Sequence, residues 1–171
     1  MSDHIAAIIK KSLSRRFDIH SISDLGRHST VKYAVLADGA TEEFLQSSKI
    51  AEYERMWEQI ANNRNSSSIH TIEEGLQRVL ASSDQHPWAF VSQAIALAGA
   101  DAHGRCDLVA VSSDHVRPLS LAMPIGSPYR DRITLAILEL LEAGEVHELR
   151  TKWFPPANCD HSVLGLLLAL E

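Results

Sequence analysis

The 171-residue sequence is short of several things that would each announce a function class. It has no excess of basic residues: 16 Lys and Arg stand against 22 Asp and Glu, a formal charge of −6. A nucleic-acid binder needs basic excess to neutralise phosphates, so that class is disfavoured. No run approaches 18 consecutive apolar residues, so no segment reads as a complete transmembrane helix. The start, Met1-Ser2-Asp3-His4-Ile5, carries an acid where a signal peptide needs Lys or Arg, and the apolar stretch Ile5 to Ile9 is short for the core of one. Cysteine is scarce. Cys106 and Cys159 are the two present, they form no Cys-x-x-Cys, and they read equally as two free thiols or one disulfide. None of the nine histidines sits in a metal-spaced pair on one helix, and there is no Gly-x-Ser-x-Gly or phosphate loop. An enzyme, a metal site and a bound cofactor are therefore not expected.

What is present is the composition of an ordinary globular domain, with 45% hydrophobic and 22% charged residues. Its length is that of a single domain. Charge is uneven. Residues 1–32 hold six basic residues and three acids, and the remainder ten and 19. Ile5, Ile8, Ile9, Leu13 and Phe17 recur at helical spacing with the basic residues opposite. This predicts a basic amphipathic helix that either lies on a membrane surface or packs on the domain.

From residue 30 onward short strands alternate with helices. Tyr33–Leu36 reads as a strand, broken at Asp38-Gly39, with a helix opening at Thr41. Ile50, Tyr53, Trp57 and Ile60 form a helical stripe, and Asn62–Ser68 reads as a polar loop. Thr71-Ile72-Glu73-Glu74 is a capping box ahead of Leu76, Val79 and Leu80. Trp88–Val91 and Leu108–Val111 read as strands. Ser127-Pro128 predicts a helix start, and Ile133, Ala136, Ile137, Leu140 and Leu141 form an apolar stripe expected in the core. Leu135 and Leu138 make a second apolar face, covered either by a partner or by deeper burial in the monomer. Val146, Leu149 and Trp153 belong to a last helix, and Pro155-Pro156 ends it. This order predicts an α/β fold with a mainly parallel sheet.

Three blocks carry a family resemblance. They are Ala37-Asp-Gly-Ala-Thr-Glu-Glu-Phe44 with Ser48-Lys-Ile-Ala-Glu-Tyr-Glu-Arg-Met-Trp57, then Glu73-Glu-Gly-Leu-Gln-Arg-Val79, then Met123-Pro-Ile-Gly-Ser-Pro-Tyr-Arg-Asp-Arg-Ile133 with Leu138-Glu-Leu-Leu-Glu-Ala-Gly144 and Lys152-Trp153. In order and spacing they resemble the ionotropic glutamate receptors, most of all the kainate type, over about residues 20–160. The matching part of that family is the second ligand-binding segment, the extracellular stretch between the third and fourth membrane helices. The resemblance implies the lower lobe of a bilobed, type II periplasmic-binding-protein-like domain. Residues 1–19 loosely resemble the end of the third membrane helix and its linker, and residues 161–171 a shortened start of the fourth.

Function and site follow from the resemblance as expectations. The parent would be a glutamate-gated cation channel of the plasma membrane, in which closure of the clamshell on L-glutamate or a related amino acid pulls on the pore. The upper lobe, with its arginine for the α-carboxylate, lies outside this sequence. Gly39, Ala40 and Thr41 correspond to the turn that holds the ligand's side-chain carboxylate. The chemistry suits it: a glycine turn entering a helix offers free N–H groups, a positive dipole end and a hydroxyl. Gln93 stands where the family has a glutamate for the ligand's ammonium, so a charge-assisted bond is replaced by a neutral one. The pocket-lining tyrosine of the family's Gly-Tyr-Gly is absent from the corresponding Pro118-Leu119-Ser120. Cys106 and Cys159 match the family's disulfide. Arg130 and Asp131, with Leu135 and Leu138, match the helix that forms the contact between ligand-binding domains in a tetrameric channel. Asn65-Ser66-Ser67 is a glycosylation sequon, usable if the segment enters the secretory pathway. The competing expectation is a truncated or decayed receptor-like product that folds but binds no amino acid.

Overall fold

The computed structural model describes residues 2–101, 107–118 and 120–153. A five-stranded mixed sheet, β3-β2-β4-β1-β5, forms the centre. Its strands are β1 (Ser2–Lys10), β2 (Lys32–Leu36), β3 (Ser68–Ile69), β4 (Trp88–Gln93) and β5 (Leu108–Pro118). β2 pairs in parallel with β3 and with β4, and β1 pairs antiparallel with β4 and β5. The sheet is thus mixed rather than mainly parallel. Antiparallel β1 is the reason, and it is also the largest correction to the expected elements.

Ile5 to Ile9 were expected in a helix that continued to Phe17. They form the middle of β1, and the helix α1 (Lys11–Phe17) begins only after them. The run Ile5-Ala6-Ala7-Ile8-Ile9 has no polar position, and all five residues are buried. Only a strand flanked by strands and covered on both faces uses such a run fully. Ile5, Ala7 and Ile9 enter one core, while Ala6 and Ile8 enter the other.

The same alternation organises the rest. Tyr33 and Val35 of β2 and Ala89 and Val91 of β4 face the first core. It is roofed by Leu13 of α1, by Ile22 and Leu25 of α2 (Ile22–Leu25), by Leu45 of α3 (Ala40–Ser47) and by Tyr53, Met56 and Ile60 of α4 (Ala51–Asn62). Ala34 and Phe90 face the second core, closed by Leu76 and Val79 of α6 (Ile72–Leu80) and by Ala94, Leu97 and Ala98 of α7 (Ala94–Asp101). The result is a three-layer α/β/α arrangement. Buried Tyr33 keeps its hydroxyl satisfied by donating to the Leu25 carbonyl at 2.8 Å, and burial pushes its ionisation well up.

Local signals explain the helix starts. The loop expected over Asn62–Ser68 contains the short α5 (Arg64–Ser67) before β3 begins at Ser68. At α6, Thr71 Oγ1 accepts from the Glu74 N–H at 3.1 Å, and Glu74 reaches back to the His70 N–H at 3.1 Å, one residue earlier than in a reciprocal box. The complete capping box lies at α2, between Ser21 and Asp24.

There the Ser21 hydroxyl donates to the Asp24 carboxylate at 2.8 Å, and the backbone N–H groups of Ser21 and His20 add to it. These bonds, and the nearby Arg27, hold the Asp24 carboxyl below its ordinary range. A carboxyl whose pKa is lower in the folded state gives stability that is present above its unfolded pKa and is lost as pH falls through the folded value. Asp24→Asn should therefore be less stable than wild type at pH 7, with the gap narrowing below about pH 4. Urea titrations at pH 7 and pH 3 check this; a gap that stays constant contradicts the assignment.

The last two helices differ from expectation in burial, not in existence. α8 (Arg130–Glu142) starts after Tyr129, two positions later than Ser127-Pro128 implied, and α9 (Glu145–Trp153) follows the left-handed Gly144. No residue of either helix is buried. Ile137, Leu140 and Leu141, expected in the core, are 36%, 42% and 41% exposed, while Leu135 and Leu138 are 60% and 48% exposed. The stripe is real, and nothing among the described residues covers it.

Candidate functional site

In the parallel pair β2–β4, Val35 stands beside Val91, so both strands end at one edge of the sheet. β3 ends there too, with Leu36 beside Ile69 and the Ala37 N–H donating to the Ile69 carbonyl at 2.9 Å. The carboxyl edge of parallel strands is where open α/β sheets place ligands. Three features meet along it: the start of α3, the Thr71 cap of α6, and Gln93 as the last residue of β4.

The turn from β2 into α3 is tight. Asp38 is left-handed at φ 55°, a conformation that Asp tolerates better than most residues, and the Gly39 N–H returns to the Leu36 carbonyl at 3.3 Å. Gly39 is the N-cap and, having no side chain, provides no cap. The first intrahelical bond of α3 runs from the Glu43 N–H to the Gly39 carbonyl at 3.1 Å. The amides of Ala40, Thr41 and Glu42 are then the orphan donors of the first turn. Ala40 is exposed, Gly39 half-buried and Thr41 buried. Gln93 is exposed beyond buried Ser92. The structure therefore sets Gly39, Ala40, Thr41 and Gln93 on the same edge.

A residue not singled out from the sequence joins them. Glu42 is buried at 4% exposure beside the α3 N-terminus. One carboxylate oxygen accepts from the Asp38 N–H at 2.7 Å, and the other lies 2.9 Å from Arg64 Nη2 of α5. That second contact is a close charge pair without hydrogen-bond alignment, since the same oxygen has no aligned partner. The pair matters electrostatically. A carboxylate already near the helix start would repel an incoming anion, and Arg64 balances it. A glutamate in the first turn of a helix is a legible capping signal, whereas its distant arginine is not.

Arg130 and Asp131 pair with each other at 3.0 Å at the exposed start of α8. Asn65 lies in α5 with an exposed side chain. Cys106 and Cys159, the Leu119 position and residues 161–171 lie outside the described residues. Among the described residues, no group of three or more His, Cys, Asp or Glu could hold a metal ion, and no helix is long and apolar enough to cross a membrane.

Fold and edge together define the class: a mixed α/β fold of the type II periplasmic-binding-protein-like kind, similar to that of glutamate-receptor ligand-binding domains. The supporting likeness is to the Drosophila muscle GluRIIB complex with glutamate, at TM-score 0.72 and 25% identity, covering 91% of this chain and 59% of that one. No protein-family profile matches the chain. Among curated proteins, it is 32% identical over 142 residues to rat and to human glutamate receptor ionotropic, kainate 1 (82% of this chain) and 32% identical over 155 residues to mouse kainate 5 (86%). The chain is homologous to kainate-type ionotropic glutamate receptor subunits. It spans about one-seventh of their length, 14–15%. None of these relatives is named as an enzyme.

Proposed function

We propose that this chain is the lower lobe of an extracellular, glutamate-binding clamshell in a plasma-membrane receptor channel of the kainate type. The observation that carries the reading is the meeting of the uncapped α3 N-terminus with the end of β4 on one sheet edge, in a fold shared with a receptor solved with glutamate. In this reading the Ala40 and Thr41 amides and the Thr41 hydroxyl take the ligand's side-chain carboxylate, and Gln93 accepts from its ammonium. An upper lobe supplies the remaining contacts, and closing the lobes pulls on the pore. Among the described residues nothing covers the stripe of α8 and α9, where Ile137, Leu140, Leu141, Leu149 and Trp153 are all exposed, and a second lobe or subunit would have apolar surface to pack on there. The start of α8, with Arg130, Asp131, Leu135 and Leu138, would face a second ligand-binding domain in the tetramer.

One observation favours a second reading, a receptor-like product that folds but binds no amino acid. Gln93 is neutral where an ammonium calls for an anion, and neutral hydrogen bonds are worth about half as much as charge-assisted ones. Calorimetry separates what the chain does alone from what it does in a clamshell. The 171-residue chain by itself should bind glutamate no tighter than millimolar. A micromolar Kd, about 8 kcal/mol, would overturn the half-site reading. Joined to a kainate-type upper lobe, the same chain should bind glutamate; absence of heat at millimolar ligand there would favour the second reading.

A further inference from the structure

We infer that Asn65, on the exposed surface of α5, is the acceptor of an N-linked oligosaccharide. The inference rests on the reading of this lobe as extracellular. Asn65 is one of four asparagines, Asn62, Asn63, Asn65 and Asn158, and Asn65-Ser66-Ser67 is the one sequon they form. Its side chain is exposed and makes no hydrogen bond among the described residues. The neighbours Asn62, Asn63, Arg64 and Ser66 are exposed as well, and together with Ala61 they line an open polar depression. A bulky hydrophilic group attached there meets solvent and displaces no packed side chain.

The geometry also fixes when the modification must occur. In the folded chain the sequon is coiled, not extended. The N–H groups of Ser66 and Ser67 both donate to the Asn63 carbonyl at 2.9 Å, Arg78 donates to the Ser66 carbonyl, and Ser67 is only 2% exposed. The hydroxyl at the third sequon position is therefore out of an enzyme's reach once α5 has closed. Transfer must precede folding of this segment. The Asn65 amide nitrogen attacks C1 of the first sugar of a lipid-linked oligosaccharide diphosphate. The C1–O bond to the diphosphate breaks, the lipid diphosphate leaves, and the amide gives up one proton, with no change of oxidation state.

The test is to secrete the full chain from cultured animal cells behind a cleavable leader and to digest it with a peptide N-glycosidase before peptide mass analysis. Wild type should carry one glycan, released with conversion of Asn65 to aspartate. Asn65→Gln should carry none. Ser66→Pro, which keeps the asparagine and the hydroxyl but places proline where a sequon forbids it, should also carry none. Folded, unmodified protein incubated with the transferase and donor should stay unmodified, and the unfolded chain should accept the sugar. Secreted wild type with unmodified Asn65 would overturn the proposal; if little is secreted, protease-protected microsomal chain is scored in the same way. Because the leader supplies the secretory route, that failure leaves the ligand-binding reading untouched, which stands or falls on the glutamate titration.

Discussion

Gly75→Val is expected to cost about 3 kcal/mol, the upper end for overpacking a core, which lowers the melting temperature by roughly 6–12 °C for a chain of this size. Gly75 lies inside α6, where a residue with a Cβ would ordinarily be favoured by about 1 kcal/mol. Here the Cβ would stand 2.7 Å from Ile69 Cδ1 and 2.7 Å from Phe90 Cγ. The isoleucine tip can turn away, but Phe90 is fully buried in the second core and its ring has nowhere to go. Alanine at the same place should cost less, because its helix propensity offsets part of the clash. Thermal melts of the two variants decide the matter: a melting temperature equal to or above wild type in both would mean that α6 does not approach β4 this closely.

Thr41→Val carries the second large effect, in the two-lobed form. Thr41 is 5% exposed, so valine fits its shape and folding should hold. What is lost is one charge-assisted bond to the ligand carboxylate, roughly 1.5–3 kcal/mol, or about ten- to a hundredfold in affinity. Gln93→Glu should act in the opposite direction by restoring an anion for the ammonium. The two changes act on opposite ends of the ligand and share no partner, so they should be nearly additive. Titration of the four forms reads the outcome. If Thr41→Val leaves affinity unchanged while Gln93→Glu raises it, the carboxylate site is elsewhere. If neither matters, the pocket is not an amino-acid site.

The elements that sequence reasoning placed well are those with a strong local signal. β2 and β4 were legible as short apolar runs beside turn residues, α4 and α6 as stripes, and α6 also by its cap. α2 was missed because it is four residues long and announced only by its capping box. β1 was misread because Ile5, Ile8 and Ile9 satisfy helical spacing while the whole run also satisfies a strand buried on both faces; periodicity alone cannot separate the two. At the candidate site, Gly39, Ala40, Thr41 and Gln93 came from the resemblance and from helix-start chemistry. Glu42 could have been found as a first-turn acid. Arg64 could not, because its approach depends on α5 folding back along β2.

The sequence by itself determined the α/β class, most helix and strand positions, the kinship with kainate-type receptors and the chemistry available at the α3 start. Those are local or inherited properties, written in spacing, capping residues and motif order. Tertiary structure alone decided that β1 lies between β4 and β5, that the sheet is mixed, and that the ends of β2 and β4 share one edge with a balanced Glu42–Arg64 pair. It also decided that the apolar stripe of α8 finds no cover among the described residues. The physical reason is the same in each case: a hydrophobic or charged pattern fixes which atoms must leave water or find a counter-charge, and only the packed chain fixes against what.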